Sequence, residues 1–237
     1  MDEAVDRNNY MIDMLKNSGI TNYERSLGLK ATESHHPLLY KEQYGCLIAH
    51  LDTICKVANG PDDYAIILED DADLLVSQRW NFTWKEFFDR VPEFDIIQLF
   101  TIAGEPDEKM YQENTFENVI SFKKWRKRHF SAAAYLITKE YAKTLEQKFI
   151  KDPKYLSQFD NVEDDLGPVA DYAIYAGSNS YSTTIFSTKI LESQISYLHE
   201  IPDFLNLIAF IDEELDKDFT LDRLFTTYES DNGSVQA

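Results

Sequence analysis

The chain has only two cysteines in its 237 residues, Cys46 and Cys55. They fall in one segment with helical spacing. At about 100° per residue they lie on opposite faces of that helix and cannot bridge each other. Such scarcity fits a reducing compartment, and no cysteine or histidine spacing matches a zinc motif. Basic charge is also short: 23 Lys and Arg against 42 Asp and Glu leave a formal charge of −19. A general nucleic-acid surface is thereby excluded, because phosphate binding needs clustered cations to displace counterions. No apolar run approaches membrane-spanning length, and the opening MDEAVDRNNY has neither a basic n-region nor an apolar h-region. The expectation is a cytoplasmic protein with no transmembrane segment. Internal repeats and long linkers are missing too, which suits a single domain over residues 1–220 followed by a flexible tail over 221–237.

What is present is a core. Apolar residues make up 43% and aromatics 14% of the chain, enough to fold rather than stay disordered. Residues 9–17 place Met11, Ile12, Met14 and Leu15 on a helical stripe that Gly19 should end. ITNYERSLGLKA, residues 20–31, reads as a short strand. Residues 41–58 carry Tyr44, Leu47, Ile48, Leu51, Ile54, Cys55 and Ala58 at helical spacing, closed by the turn signal NGPDD. Tyr64 to Leu68 is apolar without alternation, the pattern of a strand covered on both faces in a mostly parallel sheet. DIIQLF (95–100) and SAAAYLIT (131–138) predict further strands, with a helix over 139–149 and an amphipathic helix over 203–215. This alternation predicts an α/β fold with a mixed, mostly parallel central sheet flanked by helices.

The apolar strand runs into Glu69, Asp70, Asp71 and Asp73. Ligands of open α/β sheets sit beyond the C-terminal strand ends. Carboxylates converging there raise one another's pKa unless a cation neutralises them. All-oxygen donors favour Mg²⁺, Mn²⁺ or Ca²⁺. The plainer alternative is that these acids cap the next turn and face water. An EF-hand is excluded, since Leu74-Leu75-Val76 stands where the loop needs its sharp-turn glycine.

GCLIAHLDTICKV, YAIILEDDADL and FSAAAYLITKEYAKTL, taken in that order, resemble three successive blocks of glycosyltransferase family 25. VADYAIY (169–175) resembles its later Asp-Tyr block, and the similarity runs over roughly residues 7–190. This family includes bacterial lipooligosaccharide galactosyltransferases and relatives of the procollagen galactosyltransferases. The resemblance implies a GT-A-like nucleotide-sugar transferase fold and transfer of a hexose, galactose or glucose, from a UDP-sugar to a glycan or other hydroxyl acceptor with inversion. It also implies a role in lipopolysaccharide biosynthesis. Glu69-Asp70-Asp71 takes the place of the DxD motif, with Glu69 and Asp71 holding Mn²⁺ or Mg²⁺ and Asp70 near the donor. Arg7 matches the second of two family arginines, but MDEAVD carries no strand, so the expected sheet lacks the family's first strand.

Inversion by single displacement needs a base opposite the leaving group. Asp171 is the candidate; Glu163, Asp164 and Asp165 compete, and a plain helix-start acid is the alternative for Asp171. His50 matches the family's Ser-His position with Ala49 in place of Ser. A hydrogen-bonded structural histidine and a donor contact are its two readings. Ser131 stands where it approaches the sugar. KKWRKRHF (123–130) is a basic island, either a solvated hairpin or a site for the diphosphate or an anionic acceptor. Two other functions compete: a degenerate, non-catalytic carbohydrate- or partner-binding domain, and a phosphatase using Asp71-Ala72-Asp73 as a DxD nucleophile motif.

Overall fold

The computed structural model describes residues 5–28, 31–34, 39–103, 120–126, 129–150, 169–177, 179–188, 209, 211–217 and 219–226. Helix α1 (Val5–Asn17) buries Met14 and Leu15. It stops at Gly19, whose φ of +71° is the left-handed conformation that glycine adopts without a Cβ clash. There the Ile20 N–H returns to the Leu15 carbonyl at 2.9 Å, as expected for a glycine-terminated helix. Helix α2 (Lys41–Asn59) turns Tyr44, Leu47, Ile48, Leu51, Ile54 and Ala58 inward, the stripe its spacing predicts. Gly60 closes it by donating to the Val57 carbonyl.

Strand β1 (Tyr64–Leu68) follows, then β2 (Ala72–Asp73), a 3-10 turn (Leu75–Arg79) and helix α3 (Trp84–Arg90). Thr83 and Glu86 form a reciprocal capping box at the start of α3. Next come β3 (Ile96–Gln98), β4 (Ile102–Ala103), β5 (Lys123–Lys124), β6 (His129–Phe130) and β7 (Ala134–Thr138). Helix α4 (Lys139–Phe149) covers the predicted 139–149, opened by Thr138 Oγ1 accepting from the Tyr141 N–H. Helix α5 (Ala170–Tyr175), β8 (Ser180–Ser182) and β9 (Ser187–Thr188) complete the named elements.

The central sheet has the order β1-β7-β3-β8-β5. Strand β7 runs antiparallel to both neighbours, with Leu68 opposite Ala134 and Gln98 opposite Tyr135. Among the described strands only β3 and β8 pair in parallel; β5 is antiparallel to β8. The fold is therefore mixed α/β with a helix-flanked sheet, as expected, but the sheet is mostly antiparallel rather than mostly parallel. An apolar run carries no direction, and helix-strand alternation along the chain predicts parallel crossovers, of which this sheet makes one, between β3 and β8.

A second correction concerns β1. It lies at the sheet edge, with Tyr64 50% and Ile66 38% exposed, and is not a strand covered on both faces. Unbroken apolarity describes β7 better, where Ala134 to Ile137 are all buried. Residues 20–28 form no strand, and Tyr23 and Leu27 there face solvent. The first described element is α1.

Alternation along β7 divides the core. Tyr135 and Ile137 face α2, α4 and α5, whereas Ala134 and Leu136 face the layer of α1, α3 and the C-terminal helical segments. Full burial of Leu136 and Ile137 contributes about 1.5–3 kcal/mol each. Residues 211–216 are helical and overlap the C-terminal end of the predicted 203–215 helix. Residues 221–226 are helical as well and bury Leu224 and Phe225, and the Leu224 carbonyl accepts from the Phe122 N–H at 2.8 Å. Packing thus extends past residue 220, where the tail was expected to start.

Candidate active site

The carboxylate run is a tight turn. The Glu69 N–H donates to the Ala133 carbonyl at 2.7 Å, keeping it on the sheet, and the Ala72 N–H returns to the Glu69 carbonyl at 3.3 Å. Around such a turn successive side chains diverge, and the three acids meet three environments. Glu69 Oε1 accepts from His50 Nε2 at 2.9 Å and lies 3.9 Å from Cys46 Sγ, both on α2. Asp70 Oδ1 accepts from Arg7 Nη1 of α1 at 2.8 Å. Asp71 Oδ1 is buried and has no hydrogen-bond partner among the described residues.

His50 is 6% exposed and satisfied at both ring nitrogens, since Nδ1 meets the Tyr135 hydroxyl at 3.1 Å. Burial works to lower its pKa, but Tyr135, Cys46 and Glu69 together hold it well above the ordinary imidazole value. Glu69 responds in the opposite sense. Burial would raise it, yet the His50 hydrogen bond and charge, with Arg7 behind, bring it below the usual carboxylate value. Asp71 is pushed up to about 7 by burial and then by the charges of Glu69 and Asp70, which Arg7 only partly offsets.

Strands β2 and β9 extend the turn. Their antiparallel pairing sets Thr188 opposite Ala72 and Ser187 opposite Asp73. Asp73 Oδ1 accepts from the Leu75 N–H at 2.8 Å, so this acid caps the following turn. Ser187 Oγ and Thr188 Oγ1, like Asp71 Oδ1, are buried without a hydrogen-bond partner. An unsatisfied buried polar group costs about 1–3 kcal/mol. Two of these oxygens lie on successive residues of β9, whose side chains point to opposite faces, and the third lies in the adjoining turn; the unpartnered Asp71 carboxylate oxygen is of the kind that suits a hard divalent cation or a polar ligand. The site's residues thus fit Mn²⁺ or Mg²⁺ through Asp71, while Glu69 Oε1 is already engaged by His50.

Asp171, in the first turn of α5, comes close enough to feel the charges of Glu69 and His50. Burial raises its pKa to about 6, against a hydrogen bond from the Ser131 N–H and the Glu69 charge acting with burial. Ser131 itself has φ +104°, a strained conformation for a residue with a Cβ. Its carbonyl accepts from Gln98 Nε2 at 2.7 Å and from the Tyr175 hydroxyl at 3.0 Å. Its Oγ accepts from the Ala133 N–H at 3.2 Å. These three hydrogen bonds hold the strained backbone in place, with its N–H toward Asp171.

The fold therefore gathers Arg7, His50, Glu69, Asp70, Asp71, Ser131 and Asp171 around the ends of β1 and β7. Glu163, Asp164 and Asp165 lie outside the described residues. In the basic island, Lys123 pairs into the sheet as part of β5, and burial together with Arg126 lowers its pKa to about 8. Trp125 packs against Tyr172 and Tyr175 of α5 at 6.1 and 5.9 Å. The sequence reading missed Ser187 and Thr188, which stand in no motif. It also missed that Cys46 and His50, four residues apart on α2, face Glu69 together; the i, i+4 spacing was the available signal.

No helix among the described residues is long and apolar enough to cross a membrane. A comparison with curated proteins gives no match. A family model described as glycosyltransferase family 25 (LPS biosynthesis protein) matches residues 16–161, more than half of the chain.

Proposed function

The chain belongs to glycosyltransferase family 25, and from that premise we propose that it transfers a hexose, galactose or glucose, from a UDP-sugar to a hydroxyl of a glycan with inversion. The observation that carries this reading is the unpartnered, buried Asp71 Oδ1 in a turn whose other two acids are engaged by His50 and Arg7. A helix-flanked mixed sheet with these acids beyond one strand end supports a GT-A-like arrangement. The family's description in lipopolysaccharide biosynthesis supports a glycan acceptor.

On this reading Asp71 would hold Mn²⁺ or Mg²⁺ for the donor diphosphate. The cation, when bound, stabilises the charge that grows on departing UDP. Arg7 and Asp70 fix one wall through their ion pair, and Glu69 fixes the turn to α2 through His50. Asp171 accepts the proton of the acceptor hydroxyl as that oxygen attacks the anomeric carbon. A base with a pKa of about 6 is ionised at neutral pH and still basic enough to accept it. Ser131 aims its N–H at that carboxylate and keeps it oriented.

Incubating the chain with UDP-galactose or UDP-glucose, an oligosaccharide acceptor and Mn²⁺ tests the proposal. The expected result is UDP release coupled to a product of inverted anomeric configuration by NMR. UDP and Mn²⁺ should also tighten each other's binding by one common factor, because linkage is reciprocal. Equal UDP affinity with and without the cation would sink the metal assignment.

A further inference from the structure

The side chains of Cys46, His50 and Glu69 bring one ligand atom each to within 4.8 Å of one another. We propose that these three residues form a second metal site, one for a borderline-soft cation such as Zn²⁺, separate from the hard-cation position at Asp71. A thiolate, an imidazole and a carboxylate are the donor set of zinc, whereas Mn²⁺ and Mg²⁺ prefer oxygen alone. Tetrahedral zinc with bonds of about 2.0–2.3 Å holds its donors about 3.3–3.6 Å apart. His50 Nε2 and Glu69 Oε1 are 2.9 Å apart, and Cys46 Sγ and Glu69 Oε1 are 3.9 Å apart. The third pair, Cys46 and His50, lies within 4.8 Å, so the ion draws the thiol and the imidazole together by up to about 1.3 Å.

The surroundings are also those of a metal-binding histidine. Tyr135, fully buried, places its hydroxyl 3.1 Å from His50 Nδ1, which orients the ring and leaves Nε2 for the cation. Entry is open, because the Glu69 side chain is 34% exposed and Cys46 is partly exposed. Three protein ligands leave the fourth position to water. Cys46 and His50 come from α2 and Glu69 from the end of β1, so the ion ties helix to strand directly behind the carboxylate turn. On binding, the cation takes the place of the thiol proton and of the His50 Nε2 proton, which pass to the solvent.

The test is a Co²⁺ titration of the full chain after chelator treatment, followed by absorption. The expected result is a near-ultraviolet sulfur-to-cobalt charge-transfer band with visible bands of tetrahedral cobalt, all removed by an equivalent of Zn²⁺, and proton release on binding. Cys46→Ser should lose the charge-transfer band, and Cys55→Ser should retain it. Tyr135→Phe should weaken Co²⁺ by about 10–100-fold. Asp71→Asn should leave the band intact while abolishing the coupling between Mn²⁺ and UDP, which separates this site from the one assigned to donor binding. No charge-transfer band in the wild-type chain, or a band that survives in Cys46→Ser, overturns the proposal. The wild-type titration decides the matter even if a variant fails to fold.

Discussion

On one side of the sheet Phe87, Phe122, Phe186, Phe219 and Phe225 are almost wholly buried, and Phe122 lies 4.8 Å from Phe225 and 5.0 Å from Tyr181 between ring centres. At the turn after β1 and along β9, by contrast, Asp71, Ser187 and Thr188 hold buried oxygens that have no hydrogen-bond partner among the described residues. The aromatic layer meets its own needs, since apolar rings gain from burial and from offset or edge contacts alone. The polar turn does not, because each orphaned oxygen lost its water and gained no partner. Stability is concentrated in the first region, and the capacity to bind is concentrated in the second.

The largest expected effect breaks function without breaking the fold. Asp171→Asn should lower kcat by about 10²–10⁴-fold, the usual contribution of a general base, with UDP-sugar affinity unchanged. Steady-state transfer assays read this directly, and wild-type turnover in the variant would take the base role away from Asp171. The converse substitution, Phe87→Ala, should cost about 3–5 kcal/mol of stability in urea denaturation. The folded fraction should still bind Mn²⁺ and UDP with undiminished coupling; a specific loss of coupling would mean that the two regions are not separable.

A third experiment sharpens the contrast through pH. Asp71 and Asp171 have folded pKa values raised to about 7 and about 6, against ordinary values near 4. The folded state therefore binds their protons more tightly than the unfolded chain does. The stability they contribute is fully present below about pH 4 and is lost as pH rises through about 6–7. The apo chain should show a melting temperature that falls over this window from these two groups. Asp71→Asn should flatten the fall, and Mn²⁺ with UDP should do the same for the wild-type chain. A slope unchanged in Asp71→Asn would show that this carboxylate is not the strained group. The smallest effect concerns the Arg7–Asp70 ion pair, which is partly exposed. Arg7→Gln should change stability by only about 0–1 kcal/mol, measured by thermal melting at two salt concentrations.

Legibility in the sequence followed the range over which each feature is decided. Helices α2 and α4 were readable because their apolar spacing and caps lie within a few residues of one another, and so was the stop at Gly19. That acids follow an apolar strand was equally plain, and the ordered blocks pointed to the family that residues 16–161 match. The edge position of β1 was not readable, since Tyr64 to Leu68 and Ala134 to Thr138 are both apolar and only the second is central. Residues 20–31 read as a short strand, yet none forms over the described 20–28, because nothing local says whether a neighbour pairs with them.

Local sequence thus determined helices α1, α2 and α4, the apolar strands within 64–68, 95–100 and 131–138, and the concentration of carboxylates at one strand end. Tertiary structure alone decided strand direction and what each carboxylate does. Glu69 meets His50 across 19 positions, Asp70 meets Arg7 across 63, and Asp71 is left with a buried oxygen and no partner. Periodicity and capping act over a turn or two of chain, so they can be read one segment at a time. The protonation, pairing and cation affinity of an acid depend on which distant side chains the packing of α1, α2 and β7 brings within hydrogen-bond reach, and that packing is a property of the whole core.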